Sequence, residues 1–146
     1  MIVKAIIEQR NDDEYRNLYK DNMFIKTEYK SILFQRGFIG VYGWIDGYGF
    51  PPNKHLDIMI ITDSNYNLGE NIEVKVIGVF IRNDEDHKIV GIECDRIEED
   101  WIELPIEEKK MIMNIYPNIR EGEGWHRKEK AIEVINSFKT KNEDKS

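Results

Sequence analysis

The order in which its hydrophobic patterns occur is the feature of this chain that most constrains its fold. The first two thirds contain short runs with β-branched or aromatic content, at residues 2–8, 23–29, 31–36, 56–62, 72–81 and 88–94, and such runs are typical of strands. Past Glu98 the spacing of the apolar residues changes to a helical period. Strands followed by helices indicate an α+β fold rather than a parallel βαβ array. We therefore predict a small β-barrel flanked by two C-terminal helices.

Two segments near the C-terminus predict those helices. The first begins at Pro105, which a first helical turn tolerates, and ends before Pro117. Its apolar residues predict a mostly buried helix: Ile106, Met111, Met113 and Ile115. The second places five apolar residues at three- and four-residue spacings: Ala131, Ile132, Val134, Ile135 and Phe138. We expect a single domain of residues 1–139 followed by a solvated tail, residues 140–146.

Three connecting segments carry patterns of their own. Residues 11–22 are polar apart from Tyr15, Leu18 and Tyr19, and they predict a short helix or a loop. Residues 37–52 are dense in glycine and aromatic side chains, and glycine allows positive φ and close backbone approach, as at bulges and barrel corners. Residues 82–87 lie between two apolar runs and form the strongest hairpin signal in the chain.

Composition excludes several classes of function. The 146 residues include 21 Lys and Arg against 28 Asp and Glu, a formal net charge of −7. Non-specific nucleic-acid or anionic-membrane binding needs clustered positive charge, so neither partner is expected. The single cysteine, Cys94, excludes an internal disulfide and a cysteine-based zinc cluster. No apolar run approaches the roughly 20 residues that cross a bilayer, and the first eight residues lack a secretion signal. We therefore expect a cytoplasmic protein.

Several charged residues occupy unusual positions. Asp57 interrupts the apolar run of residues 56–62, where a carboxylate costs several kcal/mol unless it is paired or binds a cation. Glu8 ends an apolar strand. Lys26 and Glu28 are two residues apart in a predicted strand, so their side chains share a face.

The predicted hairpin tip repeats this spacing with Asp84 and Asp86, and Lys88 follows two residues later. Carboxylate oxygens are the ligands that Mg²⁺ prefers. Three cations could complement them by binding phosphate oxygens: Lys26, Arg36 and Lys88. Each pattern also has an ordinary interpretation, as solvated turn residues or a surface ion pair.

The order of these residues resembles that of the soluble family I inorganic pyrophosphatases. Seven segments carry the likeness and together span nearly the whole chain: residues 25–29, Gly47-Tyr48-Gly49-Phe50, residues 56–60, residues 76–79, residues 84–90, Gly124-Trp125 and Phe138. The resemblance implies an OB-like five-stranded barrel with helices. It also implies a homo-oligomer that hydrolyses pyrophosphate to phosphate with several Mg²⁺ ions, so the expected partner is pyrophosphate or another small phosphate anion.

The resemblance also assigns roles to individual residues. Asp57, Asp84 and Asp86 match metal ligands, and Glu8 and Glu28 match active-site glutamates, Glu8 at the metal and Glu28 in catalysis. Phosphate ligands are matched by Lys26, Arg36, Lys88 and Tyr116. Tyr48 matches a tyrosine that supports the surroundings of the nucleophile, so Asp57, Tyr48 and Glu28 are the expected catalytic residues.

One motif departs from the family pattern. The family signature is Asp-x-Asp-Pro-x-Asp, whereas this chain has Pro52-Asn53-Lys54-His55-Leu56-Asp57, which keeps only the last aspartate. With Pro52 and Lys54 in place of two aspartates, the local formal charge changes from −2 to +1, by +3. An ammonium about 5 Å from a divalent cation is repelled by roughly 6–7 kcal/mol at an effective dielectric of about 20. His55 is either a weak metal ligand or base or an exposed loop residue. Pro117 also replaces a phosphate-binding lysine.

Three hypotheses remain. The first is a divergent Mg²⁺-dependent pyrophosphatase that uses the remaining acids. The second is a catalytically impaired relative that binds a phosphate anion or acts as a regulatory subunit, using Lys26, Arg36, Lys54 and Lys88. The third is an OB-like module that binds single-stranded nucleic acid through Tyr42, Trp44 and Tyr48, which the net charge opposes.

Overall fold

A computed structural model describes residues 1–145, with side chains described for residues 1–138. Within these described residues, eight strands, three α-helices and a 3-10 turn follow one another: β1 (Ile2–Arg10), β2 (Tyr15–Lys20), β3 (Met23–Lys30), α1 (Ile32–Gln35), β4 (Gly40–Ile45), β5 (Asp57–Ile61), β6 (Asn71–Ile81), β7 (Lys88–Glu93), the 3-10 turn (Trp101–Glu103), α2 (Ile106–Met113), β8 (Gly124–Arg127) and α3 (Lys128–Lys145). The predicted tail lies outside the residues whose side chains are described, so its exposure stays a prediction.

Five strands close a barrel in the order β1-β4-β5-β7-β6, with β6 returning to pair with β1. The barrel is mixed because β5 and β7 run parallel while their other neighbours are antiparallel. Strand β8 extends the sheet along the far half of β6. The predicted α+β class, with a five-stranded OB-like barrel and two C-terminal helices, is therefore confirmed.

The alternation of side chains along each strand separates two cores. In β5 all five residues are buried, because Ile58 and Ile60 face the barrel interior while Met59 and Ile61 face outward. The interior core continues into α3 through Ala131 and Ile135. The outer core is covered by α1, the 3-10 turn and α2. Since one aliphatic side chain contributes about 1.5–3 kcal/mol when buried, a strand buried on both faces fixes the centre of the fold.

Three local predictions are corrected. Residues 15–20 form the strand β2, which pairs with β3 and alternates between half-buried and exposed residues. Residues 31–36, predicted as a strand, contain the short helix α1. Helix α2 is mostly exposed rather than mostly buried, because only Ile112 within it is fully covered. Among the helices that the structure describes, none combines the length and the apolar character needed to cross a membrane.

Candidate active site

The centre of the candidate site is an ion pair fixed by the parallel pairing of β5 and β7. Their register places Asp57 beside Lys88, each at the first position of its strand. Lys88 Nζ lies 2.7 Å from Asp57 Oδ2, and each side chain is only 6% exposed. Lys88 Nζ also donates to the Tyr42 hydroxyl at 3.0 Å and lies 3.1 Å from Asp86 Oδ2. The apolar run therefore tolerates Asp57 because a buried ammonium neutralises it.

A second cation lies on the other side of Asp57. His55 Nε2 is 2.8 Å from Asp57 Oδ1, and Nδ1 donates to the Asn53 carbonyl at 2.7 Å. Oδ1 is buried and receives no hydrogen bond of regular geometry within the described residues, so His55 acts on it as an ion-pair partner. Burial opposes the charged form of both groups, yet their contact outweighs it. The pKa of Asp57 falls to about 2 and the pKa of His55 rises to about 8.

Next to this pair is a cavity of about 390 Å³, here called the central cavity. Glu8 reaches it from a β-bulge in β1, where the register with β4 shifts between Ile7 and Gln9. Burial, and then the negative charge of Asp57, raises the pKa of Glu8 to about 7. Glu8 is therefore a carboxyl group that exchanges a proton near neutral pH.

Positive charge dominates the wall of the central cavity. Arg16 and Lys30 come from the β2–β3 hairpin, and Arg82 and Lys88 come from the ends of β6 and β7. Only Glu8 and Asp86 oppose these four cations among the described lining residues. Tyr42 and Tyr116 add hydroxyl groups. Charge-assisted hydrogen bonds from such donors are the strong contacts that hold carboxylates and phosphates, so this wall suits an anion.

A smaller cavity of about 260 Å³, here called the side cavity, adjoins the central cavity and shares Ile32, Arg82 and Tyr116 with it. Arg36 and Arg120 add two more cations to it. The Arg36 guanidinium donates to the Ile115 carbonyl at 2.6 Å, so Arg36 also holds the chain at the end of α2.

The acids of the β6–β7 hairpin are exposed and already face cations. The side chains of Asp84 and Asp86 are 54% and 53% exposed. Asp84 Oδ1 accepts a hydrogen bond from the backbone N–H of Asp86 at 3.0 Å. Arg82 approaches Asp84 Oδ2 at 3.6 Å and Asp86 Oδ2 at 3.9 Å. The negative charge of the hairpin is thus largely compensated by the chain's own cations.

This arrangement does not fit a multi-metal centre. Asp57 is held between His55 and Lys88, and Asp86 pairs with Lys88. Among the residues that the structure describes, no three His, Cys, Asp or Glu side chains converge in a way that could hold a metal ion. Lys54 does not account for this lack of a metal centre, because its Nζ lies 5.5 Å from the centre of the Phe138 ring, towards α3.

Comparison with solved structures shows which known fold this architecture resembles. The inorganic pyrophosphatase of Neisseria gonorrhoeae superposes with a TM-score of 0.74 and 21% identity, over 96% of this chain and 90% of that one. The enzyme of Ehrlichia chaffeensis superposes with a TM-score of 0.72 and 19% identity, over 93% of this chain and 92% of that one. The enzyme of Thermus thermophilus superposes with a TM-score of 0.71 and 16% identity, over 96% of this chain and 90% of that one. The chain has the inorganic pyrophosphatase fold. Neither a family model nor a curated protein matches the sequence, and at these identities the likeness concerns the fold alone.

Within this pyrophosphatase fold, the predicted site residues divide into two groups. Four line the central cavity: Glu8, Asp86, Lys88 and Tyr116. Asp57 joins them through Lys88, and Arg36 and Asp84 line the adjoining side cavity.

Three other predicted residues lie apart from the central cavity. Lys26 and Glu28 are exposed on β3, and Lys26 Nζ lies 5.9 Å from the centre of the Tyr15 ring. Tyr48 packs against the interior core, with its ring centre 6.2 Å from that of Phe138.

The sequence interpretation missed three cavity cations: Arg16, Lys30 and Arg82. Arg16 falls in the segment predicted as a helix or loop, whereas it lies on β2. The hairpin is tied to β1 because Asn17 donates to the Glu8 carbonyl at 3.1 Å, and its N–H donates to Gln9 Oε1 at 2.8 Å. The aromatic residues Tyr15 and Tyr19, which favour strands, were the available signal for this strand.

Proposed function

We propose that the chain binds pyrophosphate, or another small phosphate anion, in the central cavity. The observation that carries this proposal is the convergence of four cations on one wall, in a chain whose net charge is −7. Lys88 and Arg82 also pair with acids of the chain, whereas Arg16 and Lys30 form no ion pair among the described residues. Because the overall charge repels anions, such a local excess of positive charge needs a specific use. The pyrophosphatase fold supports a phosphate-containing ligand over other anions, and the phenols of Tyr42 and Tyr116 offer it further hydrogen bonds.

Isothermal titration calorimetry with pyrophosphate tests this proposal. Arg16→Gln and Lys30→Gln each remove one cavity cation, and each is expected to weaken binding about tenfold, since a hydrogen bond to a charged group contributes about 1.5–3 kcal/mol. Lys20→Gln is the matched control, because Lys20 lies on the same hairpin with its side chain exposed. The proposal is wrong if the unmodified chain gives no binding isotherm, or if Lys20→Gln weakens binding as much as the cavity variants.

The second candidate function is Mg²⁺-dependent hydrolysis of pyrophosphate to phosphate. The observation that favours it is Glu8, a carboxyl group beside Asp57 with a pKa of about 7, because a general base works best when its pKa is near the operating pH. Mg²⁺ commonly binds through one or two carboxylates together with the phosphates of its ligand. Under this candidate, Glu8, Asp57, Asp84 and Asp86 are the proposed metal-site acids and Mg²⁺ is the cofactor.

Phosphate release from pyrophosphate, measured with Mg²⁺ and with chelator, tests the second candidate. Hydrolysis predicts release that requires Mg²⁺ and is lost in Glu8→Gln and in Asp57→Ala. Glu28→Gln separates two accounts of the site, since the family resemblance makes Glu28 catalytic whereas its exposed position on β3 predicts unchanged release. Absence of release above the blank at high protein concentration rejects hydrolysis and leaves the binding proposal standing.

We also propose that the protein is cytoplasmic, as its composition predicts, and that it assembles as the homo-oligomer that the family resemblance implies. Large apolar side chains near the 3-10 turn support self-association, since Ile97, Ile102 and Ile106 are 88%, 53% and 57% exposed. Light scattering coupled to size-exclusion chromatography measures the mass of the particle. A monomeric mass across the working concentration range contradicts the proposed assembly.

A further inference from the structure

The central and side cavities adjoin at Arg82, and the two together are here called the anion path. Both cavities are lined by Ile32, Arg82 and Tyr116. The Arg82 guanidinium carbon lies 5.3 Å from the centre of the Tyr116 ring, a distance at which a cation is attracted to an aromatic face. That ring is itself stacked on Phe80, with centres 4.7 Å apart and planes inclined by 4°. Arg82 is therefore held at the junction by a ring that packing has fixed.

Cations continue from one end of this path to the other. Arg16, Lys30 and Lys88 lie at the central end, Arg82 lies in the middle, and Arg36 and Arg120 lie at the side end. A pyrophosphate bound at Arg16 and Lys30 has no need of the two arginines at the far end.

The acids at the side end are held by other groups of the chain. Glu123 accepts hydrogen bonds from the backbone N–H groups of Asn83 and Arg120, both at 3.1 Å. Asp84 faces Arg82 and the N–H of Asp86. Both acids offset part of the positive charge at this end, but the three arginines of the side cavity, Arg36, Arg82 and Arg120, outnumber them. The path as a whole suits a ligand that carries negative charge along its length.

We propose that the ligand of this site is a linear chain of three or more phosphates, bound with one end in the central cavity, its middle at Arg82 and its other end at Arg120. This inference rests on the proposed anion binding and extends it to a class of ligand longer than pyrophosphate. The shared chemistry is the phosphoanhydride chain, which inorganic tripolyphosphate and the triphosphate of a nucleotide both supply. Each added phosphate brings charge to cations that a shorter ligand leaves unused.

Calorimetric titration with pyrophosphate, tripolyphosphate and ATP, each with chelator and with Mg²⁺, tests this inference. Tripolyphosphate is expected to bind about tenfold more tightly than pyrophosphate, which corresponds to one additional charge-assisted contact. Arg120→Gln is expected to remove that gain while leaving the affinity for pyrophosphate unchanged. Arg120 is the chosen position because Arg36 also holds the end of α2. Lys20→Gln, which removes one positive charge from an exposed position outside both cavities, is expected to change neither affinity.

Each outcome has a defined meaning. Equal gains for tripolyphosphate and ATP, both lost in Arg120→Gln, support the extended site and assign it to the triphosphate unit; a gain for tripolyphosphate alone supports an inorganic ligand. Tripolyphosphate that binds no more tightly than pyrophosphate overturns the extended site but leaves the proposed function intact. An equal loss for both ligands in Arg120→Gln also overturns the extended site. Absence of binding by all three ligands rejects the proposed function itself.

Discussion

Replacing Lys88 by Met is expected to lower the free energy of unfolding by about 3 kcal/mol. Methionine has a similar length but no charge, so the variant leaves the carboxylate of Asp57 buried without its ammonium, which lies 2.7 Å away in the native protein. Removing one partner of a buried ion pair costs about 3–5 kcal/mol. The lower end of that range applies because His55 remains 2.8 Å from the other carboxylate oxygen.

Urea denaturation followed by circular dichroism measures this loss directly. Thermal unfolding should show it as a melting temperature about 6–12 °C lower, since 1 kcal/mol shifts a domain of this size by about 2–4 °C. The double variant Asp57→Asn/Lys88→Met removes both charges and should recover part of the lost stability. Lys20→Met is the matched control, because Lys20 is exposed on β2 and a surface change of this kind stays within about 0.5 kcal/mol.

Two results would refute this reasoning. If Lys88→Met unfolds within about 1 kcal/mol of the native protein, the ion pair is not buried as described. If the double variant is less stable than Lys88→Met, the cost does not come from an uncompensated carboxylate at position 57.

Three further predictions concern the loops and caps around the site. Gly49→Ala should lower the free energy of unfolding, measured in urea, by at least about 1 kcal/mol more than Gly47→Ala does. Both glycines have positive φ, which costs about 1–2 kcal/mol for alanine, but only at Gly49 would the new Cβ meet a backbone carbonyl oxygen, at 2.0 Å. Equal losses in the two variants would contradict this prediction. Burial raises the pKa of Asp100, but its hydrogen bonds to a guanidinium and two backbone N–H groups outweigh burial and lower it. The stability that the charged carboxylate adds is therefore complete above the ordinary pKa of 3.8 and is lost as the pH falls further. The difference in unfolding free energy between the native protein and Asp100→Asn, measured in urea, should therefore shrink in acid. A difference that stays constant with pH would refute this prediction. His55→Asp replaces a cation beside Asp57 with a carboxylate, so Mg²⁺ should raise the melting temperature of this variant and leave that of the native protein unchanged; an equal rise in both would show that the native acids already bind the ion.

Much of the fold could be predicted because its signals are local. The change from strand-like runs to helical spacing identified the barrel and its two C-terminal helices, but not β2, α1 or β8. Asp57 stood out because a carboxylate within an apolar run needs a partner, and the structure supplies two. The glycines of residues 37–52 were expected to permit close backbone approach, and Gly49 does so against the chain near His55.

The rest depends on pairings that a single sequence does not specify. The spacing of Lys26 and Glu28 predicts that both lie on one face of β3, but it cannot say whether that face meets the barrel or the solvent. Arg16 and Lys30 enter the cavity through the irregular register of β2 against β3, which no residue pattern reveals. The ion pairs that fill the space between the acids are likewise a product of tertiary packing.

The parallel pairing of β5 and β7 also makes the proposed anion site depend on the completion of folding. Asp57 and Lys88 are 31 residues apart in sequence, and the chain between them includes β6, which pairs with the opposite edge of β7. Contacts of such separation form late, because the entropy of closing the intervening chain is lost before they can contribute. A nascent chain that has not yet released Lys88 from the ribosome has no central cavity. Anion affinity should therefore report the finished barrel, and during refolding it should return no earlier than the slowest spectroscopic change.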